Sequence, residues 1–319
     1  MTLKIYQSLN EFKPSKKTIV TLGTFDGIHL GHVAILNKIC NLAKQENLES
    51  VLLTFFPHPR FVVNNDAEIK LLNTMTEKAI LLEQKGIQNF IIHPFDKFFS
   101  ELFPREFVEQ VLIKQLNIQK IIIGYDHKFG KNRAADFNDL IAFGKEFGFE
   151  VEEISAKQVD EVSVSSTKIR NSLLEGNISL ANAYLGYSYM LSGIVVKGNQ
   201  LGRTIGFPTA NIEISENYKL IPKNGVYIVT AIVNKKTIFG MMNIGVKPTL
   251  GDNIPSIEVH LLDFSEDIYG QKIQVNVIER LRDEQKFDSF ESLKSQLEID
   301  KKNTIQYFEN SPTLKNYFT

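Results

Sequence analysis

Two rhythms of apolar and polar positions divide the chain. Through about residue 185, short apolar runs alternate with stretches whose apolar residues recur three and four apart. Ile19, Val20 and Leu22 form the first run, and Ile35, Leu36, Ile39 and Leu42 follow at helical spacing. Residues 51–56 form a second run, and 77–85 carry Ala79, Ile80 and Leu82 as a second helical pattern. Further strand-like runs lie at 90–92, 121–123 and 149–154, separated by helical patterns at 107–116 and 136–147. Continuous apolar strands between helices predict a mostly parallel sheet covered on both faces, a Rossmann-like α/β domain.

The rhythm changes at 176–188. A helical segment at 180–185 ends at Gly186, and alternating strands follow at 190–196, 226–233, 237–243, 257–262 and 273–278. Asn234-Lys-Lys236 suits a hairpin turn between two of them. Closely spaced strands without intervening helices predict an antiparallel sheet or small β-barrel. Phe290, Leu293, Leu297 and Ile305 predict one or two closing helices over 287–308. Two domains are expected, 1–185 and 186–319, and the length of 319 residues accommodates both.

Composition narrows the function classes. The chain is 43% hydrophobic and 23% charged with a formal net charge of −1, which argues against a nucleic-acid partner. Its one cysteine, Cys40, falls among apolar helix positions and suits a buried thiol better than a reactive one. No signal-peptide core opens the sequence and no apolar run approaches spanning length, so a cytoplasmic protein without a membrane partner is expected. A homo-oligomer stays open.

The chemistry gathers at strand ends and helix starts, where ligands of parallel sheets bind. The stretch Gly23-Thr-Phe25-Asp-Gly-Ile-His29-Leu-Gly-His32 links the first strand to the first helix. A helix N-terminus offers free N–H groups and partial positive charge, and two histidines three apart share one face of its first turn. Thr54-Phe-Phe-Pro57-His58-Pro59 predicts an extended turn whose rings could bound a flat aromatic ligand. Gly124-Tyr-Asp126-His127-Lys128-Phe-Gly130, with Arg133 nearby, offers an acceptor and cations in one loop. In Val164-Ser-Ser166-Thr167-Lys-Ile-Arg170, Ser165 or Ser166 can cap a helix carrying a second anion clamp. Each motif alone also has an ordinary structural reading, as a turn, a solvated loop or a cap.

In the second half a long Gly-rich loop runs from Lys197 and Gly198 through Gly202, Arg203 and Gly206 to Thr209 and Asn211. Long loops in compact domains are commonly functional, and neutral oxygens from Thr209 and Asn211 suit Mg²⁺. In the strand around Ile257, Glu258 and His260 alternate away from Ile257, Val259 and Leu261. A carboxylate there could take the proton of an attacking hydroxyl. The charged segment Arg280-Leu-Arg282-Asp-Glu284-Gln-Lys-Phe287 equally suits a solvated helix start.

Taken in order, the four N-terminal motifs resemble the HxGH nucleotidyltransferases in the form of the FMN adenylyltransferase module of bacterial FAD synthetases. Gly202-Arg-x-x-Gly-Phe-Pro-Thr-Ala-Asn211, Asn224-Gly-Val-Tyr227, Asn243-Ile-Gly-Val-Lys-Pro-Thr249, Glu258-Val-His-Leu-Leu-Asp-Phe264 and Arg282-x-Glu-x-x-Phe287 resemble the riboflavin kinase domain. The chain is thus similar to bifunctional riboflavin kinase/FMN adenylyltransferases, which make FMN from riboflavin and ATP, then FAD from FMN and a second ATP. The resemblance implies that Gly23, Phe25, His29, His32, Asp126, Ser166, Thr167 and Arg170 serve ATP in the first domain. It implies Lys197, Gly198, Gly202, Arg203, Thr209 and Asn211 for Mg²⁺-ATP in the second, with Thr209 and Asn211 at the metal and Glu258 as base. Pro57, His58 and Pro59, and Arg280, Arg282, Glu284 and Phe287, are implied near flavin. Three places depart from the family pattern: His127 stands for Phe, Ala134 and Ala135 for Gly, and Lys247 for Arg. The alternatives are a related nucleotidyltransferase acting on another phosphate monoester, and a non-catalytic flavin-binding regulator.

Overall fold

The computed structural model describes residues 2–63, 69–124, 127–154, 164–198, 201–246 and 255–310. The chain divides into two compact units, 1–166 and 167–319.

The first unit is a six-stranded parallel sheet with the order β1-β4-β3-β2-β5-β6. Its strands are β1 (Lys4–Tyr6), β2 (Thr18–Leu22), β3 (Glu49–Phe56), β4 (Asn89–Pro94), β5 (Ile118–Gly124) and β6 (Glu150–Ile154). All five residues of β2 are buried, as expected of a central strand covered on both faces. Helix α1 (Leu30–Gln45) covers the sheet with Ile35, Leu36, Ile39, Cys40 and Ala43. Short α2 (Pro59–Val63) precedes α3 (Met75–Lys85), whose start is a capping box of Thr74 and Glu77 and whose end is Gly86 in the left-handed region.

The periodicity at 107–116 predicts one α-helix, and the structure differs. After α4 (Lys97–Ser100), the short α5 (Pro104–Phe107) continues as a π-helix, Val108–Gln115. The buried positions explain it. Phe107 and Val108, Val111 and Leu112, and then Leu116 recur four to five apart, a wider repeat than an α-helix turn. The wider turn turns all five toward the sheet, where they join the core with Val20, Val51 and Ile121. Helix α6 (Phe137–Phe147) closes the unit between an Asp136 cap and a left-handed Gly148.

The second unit opens within α7 (Ser166–Glu175), whose first residue belongs to the first unit, and continues with α8 (Ile178–Leu185), ended by Gly186 at φ 76°. A closed antiparallel barrel follows, ordered β10-β11-β8-β7-β12-β9. Its strands are β7 (Tyr189–Val196), β8 (Ala210–Glu213), β9 (Gly225–Val233), β10 (Lys236–Val246), β11 (Pro255–Leu261) and β12 (Lys272–Arg282), with α9 (Leu201–Thr204) between β7 and β8. Closure leaves no unpaired edge. Leu191, Val275 and Ala231 lie side by side across three strands, as do Tyr189, Val277 and Val229, and all six are fully buried. Asn234 and Lys235 sit at φ 50° and 65° in the two-residue turn joining β9 to β10. The α8 helix is tied to β12 through Asn182 Nδ2, which donates to Val277 O at 2.9 Å.

One helix, α10 (Phe290–Asn310), closes the barrel. Phe308 packs with Ile228, Phe239 and Leu262. Asp300, 1% exposed, accepts from Arg282 Nη2 at 2.7 Å and Nε at 3.0 Å, and so fastens the helix to the end of β12. Removing one partner of such a pair strands the other charge. Asp300→Ala is expected to destabilise the barrel unit by about 3 kcal/mol. The thermal transition of that unit measures the loss, and an unchanged midpoint refutes it.

Candidate active sites

In the first unit β2 lies between β3 on one side and β5 on the other, so the crevice between β2 and β5 is where the strand order reverses. The chain leaving β2 must turn within seven residues to bring α1 back over the sheet. It does so with Gly23 at φ 155°, Phe25 at 44°, Gly27 at 92° and Ile28 at 35°. Phe25 and Ile28 hold a left-handed backbone that side chains resist, at about 1–3 kcal/mol each. Such strain persists only where neighbours hold it. Asp26, 2% exposed, accepts from Leu72 N at 2.8 Å, and its carbonyl accepts from Ser166 Oγ at 2.8 Å. Thr24 O accepts from Lys78 Nζ at 2.6 Å and from Thr54 Oγ1 at 3.3 Å.

That turn delivers the two histidines. His29 is the N-cap residue of α1 and is 7% exposed. Its ring stacks on that of His32 at 3.7 Å between centroids, and Phe25 lies 4.6 Å from His32 on a tilted plane. Burial, then the nearby His29 and Lys78, hold the His32 imidazole well below its ordinary range, so it is neutral at pH 7. Among the described residues, His32 Nδ1 has no hydrogen-bond partner. Burial pushes the Lys78 ammonium down to about 8, with Asp26 acting in the opposite direction. The sequence shows Lys78 only as a polar residue inside an apolar helix pattern. The capping box Thr74-x-x-Glu77 beside it was the legible signal.

The other expected residues of this unit are more dispersed. Pro57 is exposed and Pro59 opens α2, so the expected extended turn is a turn into a short helix, as proline permits at a first helical position. His58 is 9% exposed, and its Nδ1 accepts from Arg60 N at 3.2 Å. Asp126 lies outside the described residues, as does Lys247 in the second unit. Beyond Asp126, Phe129 and Ala135 form a backbone bridge that closes the loop. The His127 ring lies nearly parallel to Phe129 at 6.4 Å, and Ala135 is buried at 2% exposure beside the bridge while Ala134 is exposed. Lys128 and Arg133 are exposed as well. Ser166 is the first residue of α7; Thr167 is exposed on that helix and Arg170 half-buried.

In the barrel, strand register assembles the site. Asn211 of β8 stands opposite Glu258 of β11, and Glu258 opposite Asn243 of β10. Thr209, just before β8, donates from Oγ1 to Glu258 Oε2 at 3.3 Å. Alternation along β11 buries Ile257, Val259 and Leu261 and leaves Glu258 half-exposed, as the sequence predicts. His260 is buried on the Glu258 face and donates from Nδ1 to Pro208 O at 2.8 Å, with burial holding its pKa down. It braces the Phe207-Pro208 segment that leads to Thr209.

Gly198 lies so close to the Asn211 amide that a Cβ would overlap it, and a Cβ on Gly202 would strike Phe207 O. A cleft of about 150 Å³ opens beside Thr209, lined by Arg203, Pro208, Phe264 and Tyr269 among others. Lys197 is exposed, with its Nζ 5.9 Å over the Tyr269 ring.

The segment after β12 is anchored on two sides. Arg280 Nη2 donates to Asn224 O and to Asp283 Oδ1, both at 2.7 Å, and its guanidinium lies 5.8 Å over Tyr227. Arg282 is engaged by Asp300 and lies 5.9 Å over Phe287. The exposed Glu284 carboxylate covers Gly245, where a Cβ would collide with it.

Comparison with known proteins matches two family models. One, described as FAD synthetase, matches residues 11–168; the other, riboflavin kinase, matches 185–308. A bifunctional riboflavin kinase/FMN adenylyltransferase from Bacillus subtilis is 38% identical over 92% of this chain and 93% of its own length. One from Listeria monocytogenes is 39% identical over 91% of this chain and 92% of its own. A crystal structure of a Streptococcus pneumoniae protein described as a macrolide-efflux protein has a TM-score of 0.85 and 30% identity, covering 95% of this chain and 99% of that one. Among the described residues here, no helix is long and apolar enough to cross a membrane.

The His32 geometry has a linkage consequence. Below the ordinary histidine value of 6.5 the unfolded chain binds a proton that the folded chain refuses, so stability falls as pH drops through that window. His32→Asn is expected to flatten this slope in the first unit. Urea midpoints at pH 7 and pH 5 measure it, and equal slopes in both proteins refute it.

Proposed function

The chain belongs to the bifunctional riboflavin kinase/FMN adenylyltransferase family, and from that premise we propose which of its residues carry each reaction. The enzyme phosphorylates riboflavin with ATP to FMN and adenylylates FMN to FAD. We place the border at Gly186, giving adenylylation to 1–185 and phosphorylation to 186–319. The end of α8 there supports this border, although α7 and α8 group with the barrel.

The observation that carries the adenylyltransferase assignment is the stacked His29–His32 pair at the start of α1. An FMN phosphate oxygen attacks the α-phosphorus of ATP, a new P–O bond forms, the α–β bridge breaks and pyrophosphate leaves. The nucleophile is already an anion, so no base is required. Catalysis is positioning and charge stabilisation. The histidines and the α1 N–H groups supply donors, and we assign Gly23, Phe25, Asp126, Ser166, Thr167 and Arg170 to the same nucleotide. The Pro57–His58–Pro59 turn is assigned to flavin.

Riboflavin phosphorylation differs in its nucleophile, a neutral ribityl hydroxyl. Glu258 takes its proton as the oxygen attacks the γ-phosphorus and ADP leaves. The Thr209–Glu258 contact supports this role, since it puts a carboxylate beside the proposed phosphate-facing oxygens. The described residues contain no cluster of three or more His, Cys, Asp or Glu able to hold a metal. Mg²⁺ takes few protein oxygens and completes its shell with phosphates and water, so Thr209 and Asn211 fit it. When bound there it would neutralise phosphate charge. Lys197, Gly198, Gly202 and Arg203 border the nucleotide, and the cleft beside Thr209 suits its entry. Glu284 and Phe287 face flavin, with Arg280 and Arg282 holding their loop through the contacts above. Both reactions consume ATP, which supports a cytoplasmic enzyme.

Chromatography of riboflavin, FMN and FAD over time, with ATP and Mg²⁺, tests the assignment. His32→Ala is expected to lower FAD formation by about 100-fold or more while FMN still accumulates. Glu258→Ala is expected to lower riboflavin phosphorylation by about 100-fold or more while supplied FMN is still adenylylated. Survival of either activity within a few-fold rejects that residue's role.

A further inference from the structure

Lys78 of α3 is 2% exposed and reaches out of an apolar helix face to Thr24 O, between Gly23 and the strained Phe25. Its helix start is fixed by the Thr74–Glu77 capping box, with Glu77 N donating to Thr74 Oγ1 at 3.1 Å and Thr74 N to Glu77 Oε2 at 3.0 Å. Just upstream, Leu72 N holds the Asp26 carboxylate. The segment 72–78 thus grips both Thr24 and Asp26 of the turn that carries the histidines. The groups facing Lys78 are the Thr24 carbonyl and Asp26 from the turn, and His32 from α1. A buried ammonium in place of a neutral side chain is a costly way to brace a loop. It is intelligible where a positive charge is wanted near a site for anions.

We propose that Lys78 is a positioning residue for FMN adenylylation: it fixes the Thr24 carbonyl, holds the 23–28 turn in its strained form and places a positive charge near His32. The proposal rests on the reading that these histidines handle the nucleotide phosphates. Lys78 acts through them and through the turn, and touches no reacting atom. Thr54 Oγ1, the second donor to Thr24 O, supports the same carbonyl without the charge. The ammonium also helps keep His32 neutral, so its removal raises the His32 pKa.

The test uses the full chain with Lys78→Met and Lys78→Arg, each preparation assayed for riboflavin phosphorylation and for adenylylation of supplied FMN. A slight misplacement of catalytic groups costs about 100-fold, so Lys78→Met is expected to lower the adenylylation kcat by that order. KM for ATP should move by less than about fivefold, as the ground-state contacts remain. Riboflavin phosphorylation stays within about twofold, as the substitution lies in the other unit. The His32 imidazole, followed by NMR, titrates closer to the ordinary histidine value of 6.5. Lys78→Arg, which keeps charge and donors, recovers about a tenth or more of the kcat.

Adenylylation by Lys78→Met within about threefold of the unaltered chain overturns the proposal. So does an unmoved His32 titration, or an equal loss in both variants, either of which leaves Lys78 a packing residue only. Thr54→Val keeps the test open if Lys78→Met folds poorly. It is expected to lose about tenfold in kcat with KM for ATP unchanged, and no loss refutes the bracing role. FAD synthesis surviving in His32→Ala is a different failure, since it removes the site reading beneath the proposal.

Discussion

Burial of β2 on both faces is the constraint from which the first unit follows. A strand enclosed over all five residues leaves no room at its end except over the sheet. The helix that must follow, α1, covers that same sheet, so the chain reverses in the seven residues between Leu22 and Leu30. So short a reversal forces Phe25 and Ile28 into left-handed backbone. Strain of that kind needs outside support, and Leu72 N, Ser166 Oγ, Thr54 Oγ1 and Lys78 Nζ supply it. The result is a braced cradle that carries the stacked His29 and His32 rings into the start of α1. The proposed phosphate site thus follows from closing the sheet, at a cost in backbone strain.

The barrel solves the placement problem differently. There the two-residue period of a strand does the sorting, sending Val259 inward and Glu258 to the other face. Antiparallel register then brings Asn211 and Asn243 alongside Glu258. Glycines matter here for close approach: Gly198 lets the loop after β7 lie against Asn211. Each device suits the reaction proposed for it. An anionic nucleophile needs converging donors, which a helix start provides, whereas a neutral alcohol needs a carboxylate held at a fixed point on a rigid wall.

Much of this was legible in the sequence, for physical reasons. Strand and helix periods reflect which face is buried, so the alternating parallel sheet, the barrel and the hairpin at Asn234 and Lys235 were readable from residue type alone. Motifs that carry backbone requirements were readable too, as with Gly23 and Gly27 before His29. The π-helix at Val108–Gln115 was not, because Val111 and Leu112 satisfy a 3.6 and a wider repeat equally well over so short a span. Nor was the short helix from Pro59, since proline opens a helix as readily as it fixes a turn. Arg282 reads as a charge near the flavin, and its bond to Asp300 of α10 spans eighteen positions that no local pattern connects. Lys78 was hidden for the opposite reason. Long charged side chains normally reach solvent, and only the fold shows that this one turns inward.

That inward lysine also separates the demands of stability from those of the site. Its ammonium titrates near 8 in the folded chain against 10.5 in an unfolded one, so between those values the folded chain carries fewer protons. Stability contributed at this position therefore rises with pH across that window, and at neutral pH the buried charge is a net burden on the fold. His32 works in the same sense at lower pH, since the folded site refuses a proton that the unfolded chain accepts. Both groups make the first unit less stable at and below neutrality than apolar residues of their size would. Local rules are broken in this way where a site must be preorganised for charge that the protein itself does not carry. On the proposed reading, a polyphosphate entering the cradle would meet the Lys78 ammonium and the neutral His32 imidazole. Its binding would offset the burden that folding alone leaves, so the unit should be most stable with nucleotide bound.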